Sequence, residues 1–231
     1  MNLNIPYMET DNKLLNDAYR IAAGDIVGNI VYYQNGLLTE EKPCMIAGLD
    51  YNTPWTRDTA INIWNALSIL SPEVSKNTLL AVLEEEEGNI YIGGQYWDSI
   101  IWMIGAREYC RFHKDDNFYR LAFEAGRNSV HRLEEGEFDE EDGLFRGPAV
   151  YGDGIAAYPD KYSKCPNQGS GILEWVDYPG NPVYPKGYGI PMKALSTNCV
   201  YFKAYEILAE MAHALGEPAK EFEEKAAAMK K

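Results

Sequence analysis

Three times along this chain, a helix-length segment that is apolar on nearly every side is followed by one that is apolar on a single side. Residues 59–70 carry Ile61, Ile63, Trp64, Leu67, Ile69 and Leu70 almost all the way round. Residues 73–86 follow with Val74, Leu79, Leu80, Val82 and Leu83 set against a Glu-rich end. Residues 97–113 and 116–134 repeat the pair, the second with Phe118, Leu121, Ala122 and Ala125 on one face, and so do 194–215 and 218–230. A helix that is apolar all round needs neighbours on every side, whereas a one-sided helix has water behind it. The alternation predicts an all-α chain of helical hairpins in two concentric layers, an (α/α) toroid or barrel. An open solenoid is the alternative.

The remaining segments join these pairs. Residues 11–24 read as a helix from a capping Asp11 to Gly24, with Leu14, Leu15, Ala18, Tyr19 and Ala22 on one face. Residues 26–54 read as loop or short strands, with Gln34-Asn35-Gly36 a turn. Ser71 is placed to accept a cap bond and Pro72 to take the first helical position. The stretch 135–193 is too long for a plain connection. It is expected to return to the end where the inner helices begin, where Asp58 and Asp98 are also expected to lie.

Composition removes some classes of function. The formal net charge of −14 argues against nucleic acid and against an anionic membrane surface, because both reward clustered Lys and Arg. No apolar run reaches the length of a membrane span. The first residues show no signal peptide, so the chain as it stands reads as cytoplasmic. Cys44, Cys110, Cys165 and Cys199 lie far apart with no C-x-x-C, and Cys110 and Cys199 read as buried free thiols. No metal site and no cofactor are expected.

The aromatic content, 17 Tyr, 5 Trp and 7 Phe, is concentrated in part in loops. Tyr91, Tyr96, Tyr151, Tyr158, Tyr162, Trp175, Tyr178, Tyr184 and Tyr188 all fall there. Such side chains pair an apolar face with a polar tip, which matches the C–H face and hydroxyl rim of a pyranose. Packing of the loops on the domain is the competing explanation.

Three carboxylates stand out against that background. Asp58 opens an inner helix in Tyr51-Asn52-Thr53-Pro54-Trp55-Thr56-Arg57-Asp58, either as a helix cap paired with a base or as a group facing a ligand. The positive helix end favours its ionised form. A role as proton donor therefore needs desolvation, from Trp55, Trp64 and Trp97 or from a bound sugar. Asp98 repeats the pattern after Gly93, Gly94, Tyr96 and Trp97, with the glycines allowing a close turn. Asp153 sits in a Gly-rich loop, and Glu174, Trp175 and Asp177 are further candidates. The acidic run from Leu133 to Phe145 reads as a solvated turn, because Gly143 is out of register for a calcium loop.

The segment from Tyr51 to Leu79 resembles the part of six-hairpin glycosidases where an aromatic-flanked Asp opens an inner helix. The similarity is to glycoside hydrolase family 63, with amylo-α-1,6-glucosidases and α-rhamnosidase-type barrels as relatives. The segments 96–119, the acidic turn with Asp142-Gly143-Leu144-Phe145-Arg146-Gly147-Pro148, and 192–218 recur there in the same order. The resemblance spans roughly residues 30–225. It implies part of an (α/α)6 barrel with long loops at the active-site end, and inverting hydrolysis of α-linked glucosides or related oligosaccharides. Asp58 would then be the general acid. Trp55, Arg57, Tyr96, Trp97, Asp98, Asp153 and Trp175 would line the sugar subsite.

Inversion needs a second carboxylate about 6.5–9.5 Å away, and the resemblance implies a base from the later half of the barrel. Three hairpins and one N-terminal helix make about half of the twelve helices expected. The sequence therefore reads as a single barrel domain over 1–231, a fragment lacking its C-terminal hairpins, whose partners are an oligosaccharide substrate and the remainder of its own barrel. If it stands alone, Glu174 or Asp177 would have to act as base. A non-catalytic carbohydrate binder and an α-hairpin protein-interaction scaffold are the alternatives. A sugar epimerase would need paired pocket histidines, and His113, His131 and His213 are not placed for that.

Overall fold

In the computed structural model, residues 5–94, 98–150 and 193–230 are described. The chain divides into two compact units, Met1–Gly94 with Trp102–Ala122, and Gln95–Ile101 with Phe123–Lys231. Its described residues are mostly helical, as expected, with three two-stranded antiparallel ribbons added.

The first unit opens with helix α1, Lys13–Gly28. Asn12 rather than Asp11 is the cap, its side-chain oxygen accepting from the Leu14 and Leu15 amides. The helix also runs through Gly24 instead of stopping there, because a lone glycine costs a helix only about 1 kcal/mol. No residue of α1 is buried. Leu14 and Leu15, expected on a packed face, are exposed.

Strands β1, Ile30–Tyr33, and β2, Lys42–Met45, form a ribbon in which Ile30 faces Met45 and Val31 faces Cys44. The turn after β1 contains Gly36 at φ +60°, and a Cβ there would lie 2.5–2.8 Å from the carbonyl oxygens of Leu80, Ala81 and Leu83. Only glycine satisfies both the dihedral and the space.

The helix expected over 59–70 is present but begins earlier. Helix α2, Thr56–Asn62, passes through a π-helical turn at Ile63–Leu67 into a short final piece, α3, Ser68–Leu70. It is one-sided: Ala60, Ile63 and Leu67 are buried, while Trp64 and Ile69 are exposed. Helix α4, Pro72–Ala81, restarts after Ser71 with proline at its first position. The Ser71 side chain makes no cap bond; its carbonyl accepts from the Ser75 amide instead.

The Glu-rich end assigned to this helix is a strand. Strand β3, Leu83–Glu86, pairs with β4, Asn89–Ile92, through a turn in which Glu87 and Gly88 have φ of 51° and 81°. Two positive dihedrals make the tight hairpin turn that matches strand twist. Leu83 and Ile92 are opposite each other and both buried. That cross-strand contact and the turn override the helix propensity of four glutamates.

Helix α5, Asp98–Phe112, contributes Trp102–Phe112 to this unit, and helix α6, Asp116–Glu137, contributes its first turns. Gly105 of α5 meets the backbone of Ala60 so closely that a Cβ would lie 2.8 Å from the Ala60 Cα. The buried Trp102 indole donates to the Leu79 carbonyl at 3.3 Å. Tyr109 packs edge-on against Phe118 with centroids 5.0 Å apart. His113, just beyond α5, has Nε2 2.6 Å from the Ser68 carbonyl oxygen.

The second unit is built on helix α7, Leu195–Leu215, and helix α8, Lys220–Ala228. Gly216 terminates α7 in the left-handed region, φ 73°, and the Glu217 amide donates back to Ala212. That is a glycine-ended helix cap. Tyr201, Tyr205, Ile207, Leu208, Met211 and Ala212 of α7 are buried. Phe222 of α8 packs at 90° on Phe123.

Cys199 is exposed rather than buried as expected. The packed side of α7 runs through Thr197, Asn198, Tyr201, Ala204 and Tyr205, and position 199 lies off it. Within the stretch expected as a long loop, β5, Phe138–Asp139, pairs with β6, Leu144–Phe145. Phe145 stacks on Tyr201 with centroids 3.5 Å apart. The buried Asn198 amide accepts from the Phe145 amide at 2.8 Å and donates to its carbonyl at 3.0 Å, acting as a side-chain strand partner.

The Gly105–Ala60 contact sets a test against a glycine with open surroundings. A Gly105→Ala substitution should destabilise by about 1–3 kcal/mol through overpacking. A Gly24→Ala substitution, which meets nothing within 4 Å, should stabilise by about 0.5–1 kcal/mol. Urea unfolding of the two variants measures both signs.

Candidate functional site

Asp58 is the third residue of α2. The N-cap is Trp55, which makes no side-chain cap bond, so Asp58 is not itself the cap. It lies in the first turn, half-buried, where the helix dipole favours a negative charge.

The residues before it form an aromatic corner. The Tyr51 and Trp55 rings stand edge to face, 78° apart with centroids 6.1 Å apart. The Arg57 guanidinium carbon sits 5.5 Å from the Trp55 ring centroid, within range of a cation–π contact. Tyr51 is 50% exposed, while Trp55 and Arg57 are half-buried. Tyr51 was absent from the sequence-based set, and its position seven residues before Asp58 carried no spacing signal.

The helix beneath this corner is held at three heights. Thr56 is buried and its hydroxyl donates to the Gly93 carbonyl at 2.9 Å. Ala60 is fixed by Gly105, and the Ser68 carbonyl by His113. The close turn expected at Gly93 and Gly94 is observed. A Cβ on Gly93 would meet the Val82 carbonyl oxygen at 2.8 Å, and Gly94 has φ 112°. Trp64, expected to help desolvate Asp58, keeps 49% of its surface exposed.

In the second unit, Asp98 opens α5 and is 1% exposed. Its side chain offers a sugar almost no surface in this state. Tyr96, Trp97, Asp153, Glu174, Trp175 and Asp177 lie outside the described residues.

Other reactive groups are quickly placed. Burial pushes the Cys44 and Cys110 thiols up to about 12, so neither supplies a thiolate nucleophile at neutral pH. Among the described residues, His131, Glu134 and Glu221 hold potential metal-ligating atoms within 4.8 Å of one another. A cationic side chain already lies among them: the Lys225 ammonium is 2.7 Å from Glu134 and 2.5 Å from Glu221. These hydrogen bonds lower the Glu221 carboxyl and raise Lys225 despite its partial burial. Glu134 also accepts from the Tyr205 hydroxyl at 2.6 Å, so the cluster ties α6, α7 and α8 together. Sequence spacing gave no hint of it, since its members come from positions 131 to 225.

The acidic turn is more than solvated. Asp139 is held by Lys193 at 2.8 Å and Arg146 at 2.6 Å, and its carboxylate accepts from the Glu141 amide. The Lys193 hydrogen bond is the largest influence, followed by that amide, and its carboxyl is lowered to about 2. Comparison with known protein families, curated proteins and solved structures finds no match to this chain.

A carboxylate whose folded value is depressed adds stability that is full above its unfolded value and lost as pH falls through the folded one. Wild-type protein should therefore melt higher than Asp139→Asn at pH 7. The gap should shrink below about pH 4 and close as pH falls through about 2. Melting curves of both proteins across that range measure the effect.

Proposed function

We propose that this chain carries the acid side of a glycoside hydrolase active site, with Asp58 as the general acid in inverting hydrolysis of α-linked glucosides or related oligosaccharides. One observation carries the reading: a half-buried carboxylate in the first turn of a firmly held helix, adjoining a partly exposed corner of Tyr51, Trp55 and Arg57. The aromatic corner suits the C–H face of a sugar, and the guanidinium can donate to its hydroxyls. Asp58, three residues beyond Trp55, would protonate the departing glycosidic oxygen. A bound sugar ring would exclude water from the carboxyl and favour its protonated form. Trp55 and Arg57 line the proposed subsite.

The resemblance to six-hairpin barrels supplies the architectural half of the proposal. The mostly helical fold is compatible with it, and further helices would pack on exposed apolar residues of the first unit. Trp64, Ile69, Leu14 and Ile21 are exposed, and unpartnered apolar surface marks an interaction site. The catalytic base is assigned to the remainder of such a barrel. A carbohydrate-binding relative without turnover is the second reading, favoured by the same corner if no base approaches Asp58.

The full-length protein tests the assignment through its dependence on the leaving group. General acid catalysis contributes about 10²–10⁴ in rate when the leaving oxygen needs a proton. Asp58→Asn should lose about that much on oligosaccharides and far less on glycosyl fluorides, whose leaving group needs little protonation. Equal losses on both substrates would remove Asp58 from the acid role. Oligosaccharide affinity without turnover in the wild type would favour the binding protein.

A further inference from the structure

The second unit contains a cavity of about 530 Å³ that the proposed sugar chemistry does not use. It lies between the end of α6, the β5–β6 ribbon, α7 and α8, and is within the size range of small-molecule sites. Its apolar surfaces come from Phe138, the Tyr205 ring, Ala228 and Met229. Its charged wall has three carboxylates, Glu134, Glu135 and Glu140, against one ammonium, Lys225.

The charge balance does not favour an anion. Lys225 is already committed to Glu134 at 2.7 Å and to Glu221 at 2.5 Å. The nearby cations Arg146 and Lys193 are engaged at Asp139, and Lys193 also at Asp142, so their charge is spent on residues that do not line the cavity. A cation near the aromatic wall has a precedent in the protein itself, since the Lys225 ammonium lies 5.8 Å from the Tyr205 ring centroid. The Tyr205 hydroxyl donates to Glu134, which keeps that carboxylate fixed at the cavity wall.

We infer that this cavity binds a small organic cation with an apolar body, an arylalkylamine being the simplest case. The ring lies against Phe138 and Met229, and the ammonium meets the exposed Glu135 carboxylate. Burying the ring supplies most of the affinity, and Glu135 supplies the selectivity for positive charge. The inference is independent of the glycosidase reading, since it uses no residue of that site.

Three indoles that share a ring and differ in charge test it: tryptamine, 3-methylindole and indole-3-propionate. Calorimetric titration of the purified chain should rank tryptamine about fivefold to tenfold above 3-methylindole, as expected for partly exposed ion pairing, with indole-3-propionate weakest. The Met229 methyl resonance, assigned by its loss in Met229→Leu, should shift on tryptamine addition. Glu135→Gln should weaken tryptamine about threefold to tenfold and leave 3-methylindole unchanged, and Glu135→Ala serves if that variant is poorly folded. Equal affinity for the three compounds, no tryptamine binding at millimolar concentration, or an unmoved Met229 methyl while tryptamine binds would each overturn it.

Discussion

The backbone contact between Ala60 and Gly105 leaves no room for a single methyl group, and the geometry around Asp58 depends on it. Two helices can approach this closely only where one of them lacks a Cβ, so the glycine decides how near α5 comes to α2. Gly105 fixes α2 one turn or less beyond Asp58. The Thr56 hydroxyl fixes its start on Gly93, and His113 holds the start of α3 at Ser68. A carboxylate on such a helix keeps its position relative to Trp55 and Arg57, which orientation-dependent proton transfer requires. The π-helical turn within the same run adjusts the helical phase after Asn62. It leaves Ile63 and Leu67 buried, with Trp64 exposed between them.

Much of this frame was legible in the sequence, for identifiable reasons. Long periodic segments such as α5 and α7 announce themselves because packing on several sides demands apolar residues throughout. The break between 215 and 218 was legible from the two helical patterns on either side, and Gly216 makes it by entering the left-handed region. Gly93 and Gly94 were read correctly because glycine allows a close turn. The Glu-rich end of α4 misled because four glutamates favour helix locally. Their strand pairing rests on a turn at Glu87–Gly88 and on Ile92, which lies six residues beyond Glu86. The solid face expected for α1 was also absent, because amphipathic spacing states which residues can be covered and not what covers them.

The candidate site divides in a similar way. Asp58, Trp55 and Arg57 are close in sequence, and one helical start gathers them, so their association could be read directly. Tyr51 joins them only because the chain folds back before α2, and Thr56 matters through a partner 37 residues away. The cluster of His131, Glu134, Glu221 and Lys225 was wholly hidden, since tertiary packing of α6 against α8 assembles it. Local chemistry is therefore visible in a sequence where one element holds all the parts.

Formal charge divides evenly between the two units, 9 Lys and Arg against 16 Asp and Glu in the first and 12 against 19 in the second. In the first, Asp58 follows an aromatic corner of Tyr51 and Trp55. In the second, Lys225 pairs with Glu134, and Lys193 and Arg146 pair with Asp139, in partly buried networks. The overall charge of −14 is thus shared equally by the two units, and the aromatic corner before Asp58 includes the Arg57 guanidinium.

The most direct test of the central claim is the crystal structure of the full-length protein with a non-hydrolysable thio-oligosaccharide. The account predicts a sugar ring against Tyr51 and Trp55, with the sulfur that replaces the glycosidic oxygen about 3–3.5 Å from the Asp58 carboxyl. A ligand bound away from this corner, or an Asp58 carboxyl turned away from the bond it should cleave, would contradict it.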